Sequence, residues 1–207
     1  MIAHRGACWE EPENSLAAFR RAIELGADYV EFDVQASRDG ELVVVHDPVR
    51  VPRAALPPGV PTLDETLAEC AGRIGLAVEL KEPRLHRRHD LVRRTLAALD
   101  AHGVDPDALL VLSFDPRALE QVRRLRPELR TVLHLGRRPD PAAAARFWGV
   151  GFQDRAARPR ALALAEGLGL ATTVFTVNEE PRIRELARLG VTGIFSDRPD
   201  LLRRCLG

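Results

Sequence analysis

The order of apolar runs along this chain predicts an α/β fold in which a parallel sheet closes into a barrel. Three observations carry that prediction. β-like runs alternate with helical patterns along most of the 207 residues, as expected of βα units on a parallel sheet. Polar groups stand in or at the ends of four of those runs: His4-Arg5-Gly6, Val30-Glu31-Phe32-Asp33-Val34, His46-Asp47 and Ala77-Val78-Glu79-Leu80-Lys81. Strand propensity disfavours such residues, whereas an α/β barrel builds its site from strand tips. Finally, the strand candidates number one more than an eightfold barrel needs, and the surplus has a local explanation given below.

Strands are expected at 2–5, 29–35, 41–46, 75–80, 108–113, 130–135, 149–153, 171–176 and 192–195. Helices are expected at 15–25, 63–72, 86–102, 116–126, 140–147, 159–168, 180–189 and 199–205. In the first helix Leu16, Phe19 and Ile23 share one face, with Asn14 as N-cap and Gly26 just past the end. Pro106, Pro116, Pro181 and Pro199 stand near helix starts, where a missing N–H is harmless. Strands 29–35 and 41–46 have no helix between them, only a turn at Asp39-Gly40. A two-residue turn there pairs 38 with 41 and sets Asp33 opposite His46, about 5 Å away. A descending return segment followed by a parallel strand is the alternative, and it too brings the two residues together.

Composition narrows the function classes. The chain is expected to form one domain over 1–207, with only a short segment at 49–60, and is long enough to bury a proper core. Its formal net charge is zero, so no overall field draws in nucleic acid or an anionic membrane. No apolar run approaches the roughly 18 residues of a membrane span, and no amphipathic or aromatic stretch marks a docking face. No charged n-region followed by an apolar stretch opens the sequence, so no secretory signal is expected. Cys8, Cys70 and Cys205 are odd in number and lack CxxC spacing, which fits free thiols in a reducing cytoplasm. Oligomeric state is not readable.

Glu31 and Asp33 lie two apart on one strand, so both carboxylates face one side. Alone they are compatible with a half-exposed strand. Glu79 changes that, because Leu76 to Leu80 reads as a strand buried on both faces, where a lone carboxylate is costly. Two carboxylates about 4 Å apart repel by roughly 4 kcal/mol at an effective dielectric of 20. Three together need a cation or take up protons, and an all-oxygen set favours one divalent cation, Mg²⁺ or Ca²⁺, over zinc. His4 and His46 supply what an acid and a base require, though imidazoles are also metal ligands. Arg5 can fork onto a phosphate. Lys81 is the only lysine in a chain that otherwise uses arginine, and it shares a face with Glu79. Histidines 86, 89, 102 and 134 receive no role. The partner expected is a small-molecule phosphodiester.

At these residues the sequence resembles the glycerophosphodiester phosphodiesterase family of phospholipase-C-like barrels. The matching motifs are His4-Arg5-Gly6, Pro12-Glu13-Asn14-Ser15, Gly26-Ala27-Asp28, Glu31-Phe32-Asp33-Val34, Asp39-Gly40 and His46-Asp47. They continue with Pro61-Thr62-Leu63, Glu79-Leu80-Lys81, Thr176-Val177-Asn178 and Ser196-Asp197-Arg198-Pro199, in order along nearly the whole chain. The resemblance implies a (β/α)8 TIM barrel that hydrolyses glycerophosphodiesters to glycerol phosphate and an alcohol. It implies Glu31, Asp33 and Glu79 as metal ligands and His4 and His46 as the acid–base pair. Arg5 and Lys81 would contact phosphate, Glu13 would support the pocket, and Phe175 and Asn178 would line the substrate side.

Some positions depart from the family pattern. Phe175 stands where the family usually has tryptophan, Ser196 and Ser15 replace threonines, and 49–60 is shorter than the usual insertion and lacks its arginine-threonine-threonine element. That segment commonly covers the alcohol portion, so the headgroup is left open. A lysophospholipase-D-like activity keeps the chemistry and changes the substrate. A phosphoester-binding barrel without turnover is the reading from another class, and the paired histidines argue against it.

Overall fold

The computed structural model describes residues 1–136 and 139–207, Arg87 by its backbone alone. Its strands are β1 (Ile2–Ala3), β2 (Tyr29–Ala36), β3 (Leu42–Val44), β4 (Gly75–Leu80), β5 (Leu109–Ser113), β6 (Arg130–His134), β7 (Gly149–Gln153), β8 (Ala171–Phe175) and β9 (Gly193–Ser196). The α-helices are α1 (Leu16–Glu24), α2 (Leu63–Cys70), α3 (Leu91–Ala101), α4 (Pro116–Leu125), α5 (Pro159–Gly167), α6 (Glu180–Arg188) and α7 (Pro199–Leu206). All strands but β3 run parallel, and β1 pairs with both β9 and β2, so eight of them close into a barrel. The (β/α)8 expectation is met.

Period-two alternation divides the strand residues between two cores. Val30, Phe32 and Val34 of β2 face outward, packing in one apolar body with Phe19 of α1, Leu67 of α2, Leu119 of α4 and Leu186 of α6. Ile2, Ala77, Leu110, Leu112, Val132 and Phe195 face inward and fill the barrel axis as a smaller cluster. Burying each of the large side chains contributes about 1.5–3 kcal/mol. The residue two places further along an inward-facing strand reaches the C-terminal mouth. That step takes Ala77 to Glu79 and Lys81, Val132 to His134, and Ile2 to His4.

Several expected elements differ in extent or in their cap; the strand expected at 41–46, for one, spans only Leu42–Val44. The first strand stops at Ala3, because Arg5 and Gly6 take left-handed conformations (φ 53° and 84°) that turn the chain at the barrel mouth. The Gly6 position also admits no side chain, since a Cβ there would meet Ala18 at 2.6 Å. The stretch 140–147 forms only a 3₁₀ turn, Pro141–Ala144. Its alanines have helix propensity but too little apolar surface to offset helix nucleation. Helix α3 begins at Leu91 rather than 86, behind a 3₁₀ turn (Arg87–His89) and a left-handed Asp90 (φ 45°). Ser15, not Asn14, caps α1, accepting from the Ala18 N–H.

The β2–β3 connection is antiparallel, as the hairpin reading requires, but its register is one residue off the expected one. Ala36 pairs with Leu42 and Val34 with Val44. Ser37 N–H donates to Glu41 O (2.8 Å) and Gly40 N–H to Ser37 O (3.0 Å), closing a three-residue loop with Gly40 at φ 97°. That glycine belongs to the αL position of a three-residue hairpin, not to a two-residue turn. Asp33 therefore faces Val45, whose N–H donates to Asp33 O (2.9 Å), and His46 comes one residue later. Strand β3 sits on the edge of β2 above the short β1, which leaves the middle of that edge to side chains.

Candidate active site

Three carboxylates converge at the mouth. Glu31, Asp33 and Glu79 are 2 %, 1 % and 6 % exposed, and each offers an oxygen within 4.8 Å of the other two. The convergence follows from register: Asp33 lies beside Glu79 on neighbouring parallel strands, and Glu31 is two residues earlier on the same face of β2.

Each acid has at least one partner, and two of those partners are shared. Arg5 N–H donates to Glu31 Oε2 (2.8 Å). Arg5 Nε lies 3.3 Å from Asp33 Oδ2, while its Nη1 donates to Glu13 Oε2 at 2.7 Å. Asn14 Nδ2 donates to Asp33 Oδ2 (2.9 Å) and Asp33 N–H donates to Asn14 Oδ1 (3.2 Å). That clamp occupies Asn14, which explains why the cap falls to its neighbour. Lys81 Nζ bridges Glu79 Oε1 (3.1 Å) and Asp33 Oδ1 (3.5 Å).

Counting charges shows what the cluster lacks. Three acids against Arg5 and Lys81 leave one buried negative charge. Burial, with Asp33 and Glu79 as neighbouring charges, pushes the Glu31 carboxyl well above the ordinary range. Burial pushes Glu79 the same way, but His134 and Lys81 outweigh it and hold its carboxyl at about 2. Burial disfavours the Lys81 ammonium, and the Glu79 and Asp33 carboxylates overcome that and hold it charged. Glu79 Oε1 faces Lys81 Nζ as an ion pair, and among the described residues it accepts no well-aligned hydrogen bond. A buried, oxygen-only set with excess negative charge suits a hard divalent cation. Bound there, such an ion would offset the excess buried negative charge and present a positive pole to a phosphate anion.

The two histidines stand in different settings. His4 follows β1, its N–H donating to Ser196 O (2.9 Å), and its Nδ1 lies 2.7 Å from Asp197 Oδ1. Asp197 also receives Asn178 Nδ2 (2.6 Å) and the Cys8 thiol (3.2 Å). Burial alone would raise the Asp197 carboxyl, but the hydrogen bonds from His4, Asn178 and Cys8 hold it at about 2. An imidazole held by a carboxylate on one nitrogen is fixed in tautomer and orientation, leaving the other nitrogen for proton transfer. His46 is more open, with Asp47 Oδ1 3.3 Å from its Nδ1. Its loop is tied down instead by Gln35, whose amide donates to the carbonyls of Val45 (2.8 Å), His46 (3.1 Å) and Asp47 (2.8 Å).

Phe175 stands on the inner face, stacked on His134 with centroids 4.4 Å apart, and Phe114 closes on it edge-on at 5.8 Å. Asn178, expected on the substrate side, has its amide committed elsewhere. Its Oδ1 accepts from Ser196 Oγ (2.8 Å) and Asp197 N–H (3.0 Å), so in this geometry it braces Asp197. Sequence reasoning gave no role to Asp197, Gln35 or His134. Asp197 lay in a quoted motif just past the last strand. Gln35 and His134 each follow an inward-facing residue by two, a periodicity that was available.

A sequence profile of the glycerophosphoryl diester phosphodiesterase family matches residues 4–56 and 48–201. A glycerophosphodiester phosphodiesterase of Bacillus subtilis is 26 % identical over 250 residues, covering 98 % of this chain and 85 % of the relative. One from Bacillus altitudinis is 25 % identical over 236 residues, covering 97 % and 95 %. Among solved structures, an Oleispira antarctica phosphodiesterase in complex with the product sn-glycerol-3-phosphate superposes with TM-score 0.89 at 26 % identity, over 99 % of this chain and 95 % of that one. A glycerophosphodiester phosphodiesterase from Agrobacterium tumefaciens gives 0.80 at 27 % identity, with 98 % of each covered. With its barrel, its acid cluster and a profile match spanning nearly its full length, this chain belongs to the glycerophosphoryl diester phosphodiesterase family.

Proposed function

We propose that the chain hydrolyses glycerophosphodiesters to glycerol phosphate and an alcohol, with His4 and His46 as the acid–base pair and Glu31, Asp33 and Glu79 holding one Mg²⁺ or Ca²⁺. The observation that carries the reading is the cluster of three buried acids, one charge short of neutral, at the mouth of the barrel. A divalent cation held by those acids supplies electrostatic stabilisation of the phosphate and acidifies a hydroxyl brought beside it. Arg5 and Lys81 orient the phosphodiester and meet the charge that develops on its oxygens. Asp197 keeps His4 in one tautomer, and Gln35 holds the backbone that presents His46. One histidine takes the proton of the attacking hydroxyl and the other returns one to the leaving alcohol. The short 49–60 segment leaves the leaving-group side open to several headgroups.

The test is alcohol release from glycerophosphocholine, glycerophosphoethanolamine and lysophosphatidylcholine by the wild type, His4→Ala and His46→Ala. Each histidine variant should lose roughly 10²–10⁴ in kcat while staying folded. Near-wild-type turnover in either variant removes it from the acid–base pair. Preferential turnover of lysophosphatidylcholine by the wild type would move the substrate to lysophospholipids.

A further inference from the structure

The strongest unexplained feature of the barrel is His134. It is 4 % exposed, and among the described residues neither ring nitrogen has a hydrogen-bond partner. A buried imidazole without partners is costly, so its surroundings need a reason. The ring stacks on Phe175 and meets Phe114 (5.2 Å) and Phe195 (5.7 Å) edge-on. Its Nδ1 points to Glu79, 3.6 Å from Oε2, just beyond hydrogen-bond length.

The neighbouring strand makes room for the ring. His134 pairs with Gly151 on β7, where an added Cβ would meet His134 Cδ2 at 2.2 Å. A glycine inside a strand forgoes packing and backbone rigidity, and here the vacated volume is the volume the imidazole uses. If the pocket needed only apolar filling, a leucine would meet the need with no nitrogen to desolvate.

Resting on the metal reading above, we propose that His134 is a positioning residue. Its Nδ1–H donates to Glu79 Oε2 and fixes the carboxylate that β4 contributes to the ion. Glu31 is held by the Arg5 backbone N–H and Asp33 by Asn14. Among the described residues Glu79 has only Lys81, on its other oxygen, so His134 supplies the missing directional support. Closing 3.6 Å to a hydrogen bond takes a small rotation of either side chain. Groups that orient metal ligands typically change affinity by 10–100-fold when removed.

The experiment is calorimetric titration of Ca²⁺, and separately Mg²⁺, into chelator-treated wild type, His134→Leu, His134→Asn and Glu31→Gln, without substrate. Leucine fills the pocket but donates nothing, whereas the asparagine Nδ2 reproduces the donor nearest Nδ1. The expected result is a rise in Kd of roughly 10–100-fold for His134→Leu, recovery of most of that loss in His134→Asn, and no binding by Glu31→Gln. Thermal melting of both His134 variants reports packing independently of metal. Equal affinity of His134→Leu and wild type would overturn the proposal while leaving the three-acid site intact. Equal weakening in both His134 variants would overturn it in favour of shape alone. A wild type that binds neither ion would remove the metal reading and this inference with it.

Discussion

The mouth of this barrel has two unlike arcs. Along β1, β2 and β4 it is charged and braced: Arg5, Asn14 and Lys81 each hold an acid by direct contact. Along β5, β6, β8 and β9 it is aromatic, with Phe114, His134, Phe175 and Phe195 meeting ring to ring. The difference assigns work to each side. Directional contacts on the charged arc fix charge and geometry, so a change there should strike turnover. Ring packing on the aromatic arc holds a wall together, so a change there should strike stability or ion affinity more than rate.

The comparison is broken most severely at Asp33, which joins Arg5, Asn14 and Lys81. Asp33→Asn keeps the shape and removes the charge all three face. Turnover of glycerophosphocholine should fall about 10³-fold, as when a preorganised electrostatic contact is lost, with far-UV circular dichroism unchanged. Steady-state kinetics on the folded variant checks this.

A middle-sized effect is expected at Asp197 and is read as stability rather than rate. Its carboxyl sits at about 2, below the ordinary 3.8. A depressed native value means the ionised form stabilises the fold above the ordinary pKa. That contribution, about 2 kcal/mol, is lost as pH falls from roughly 4 towards 2. Thermal melts across that range should therefore show a steeper acid decline for wild type than for Asp197→Asn.

The smallest effect sharpens the contrast from the aromatic side. Phe175→Ala removes a stacking partner worth about 1 kcal/mol. The melting temperature should fall by about 2–4 °C, with kcat within about twofold. A kcat loss matching that of Asp33→Asn would erase the distinction between the arcs.

What was legible in the sequence follows the same division. Glu31, Asp33, Glu79 and Lys81 stood out because charges inside apolar strand runs contradict burial, and strand period puts them on one face. The barrel followed from alternation of runs. The hairpin register was not legible, because Asp39-Gly40 is compatible with turns of two or three residues and only the Ser37–Glu41 pairing decides. Asp197 and Gln35 escaped because their roles depend on partners 193 and about 10 positions away. His134 escaped for another reason: its meaning lies in the lack of partners, which no sequence displays. The alanines at 142–145 misled, since propensity speaks for a helix that tertiary packing does not reward.

The central claim is that Glu31, Asp33 and Glu79 hold one divalent ion. Anomalous diffraction from crystals soaked in Mn²⁺, a stand-in for Mg²⁺, tests it most directly. A single strong peak bounded by those three carboxylates, and gone in Glu31→Gln crystals, is the predicted result. No peak there, or a peak only at the His4, Cys8 and Asp197 cluster, would contradict the account.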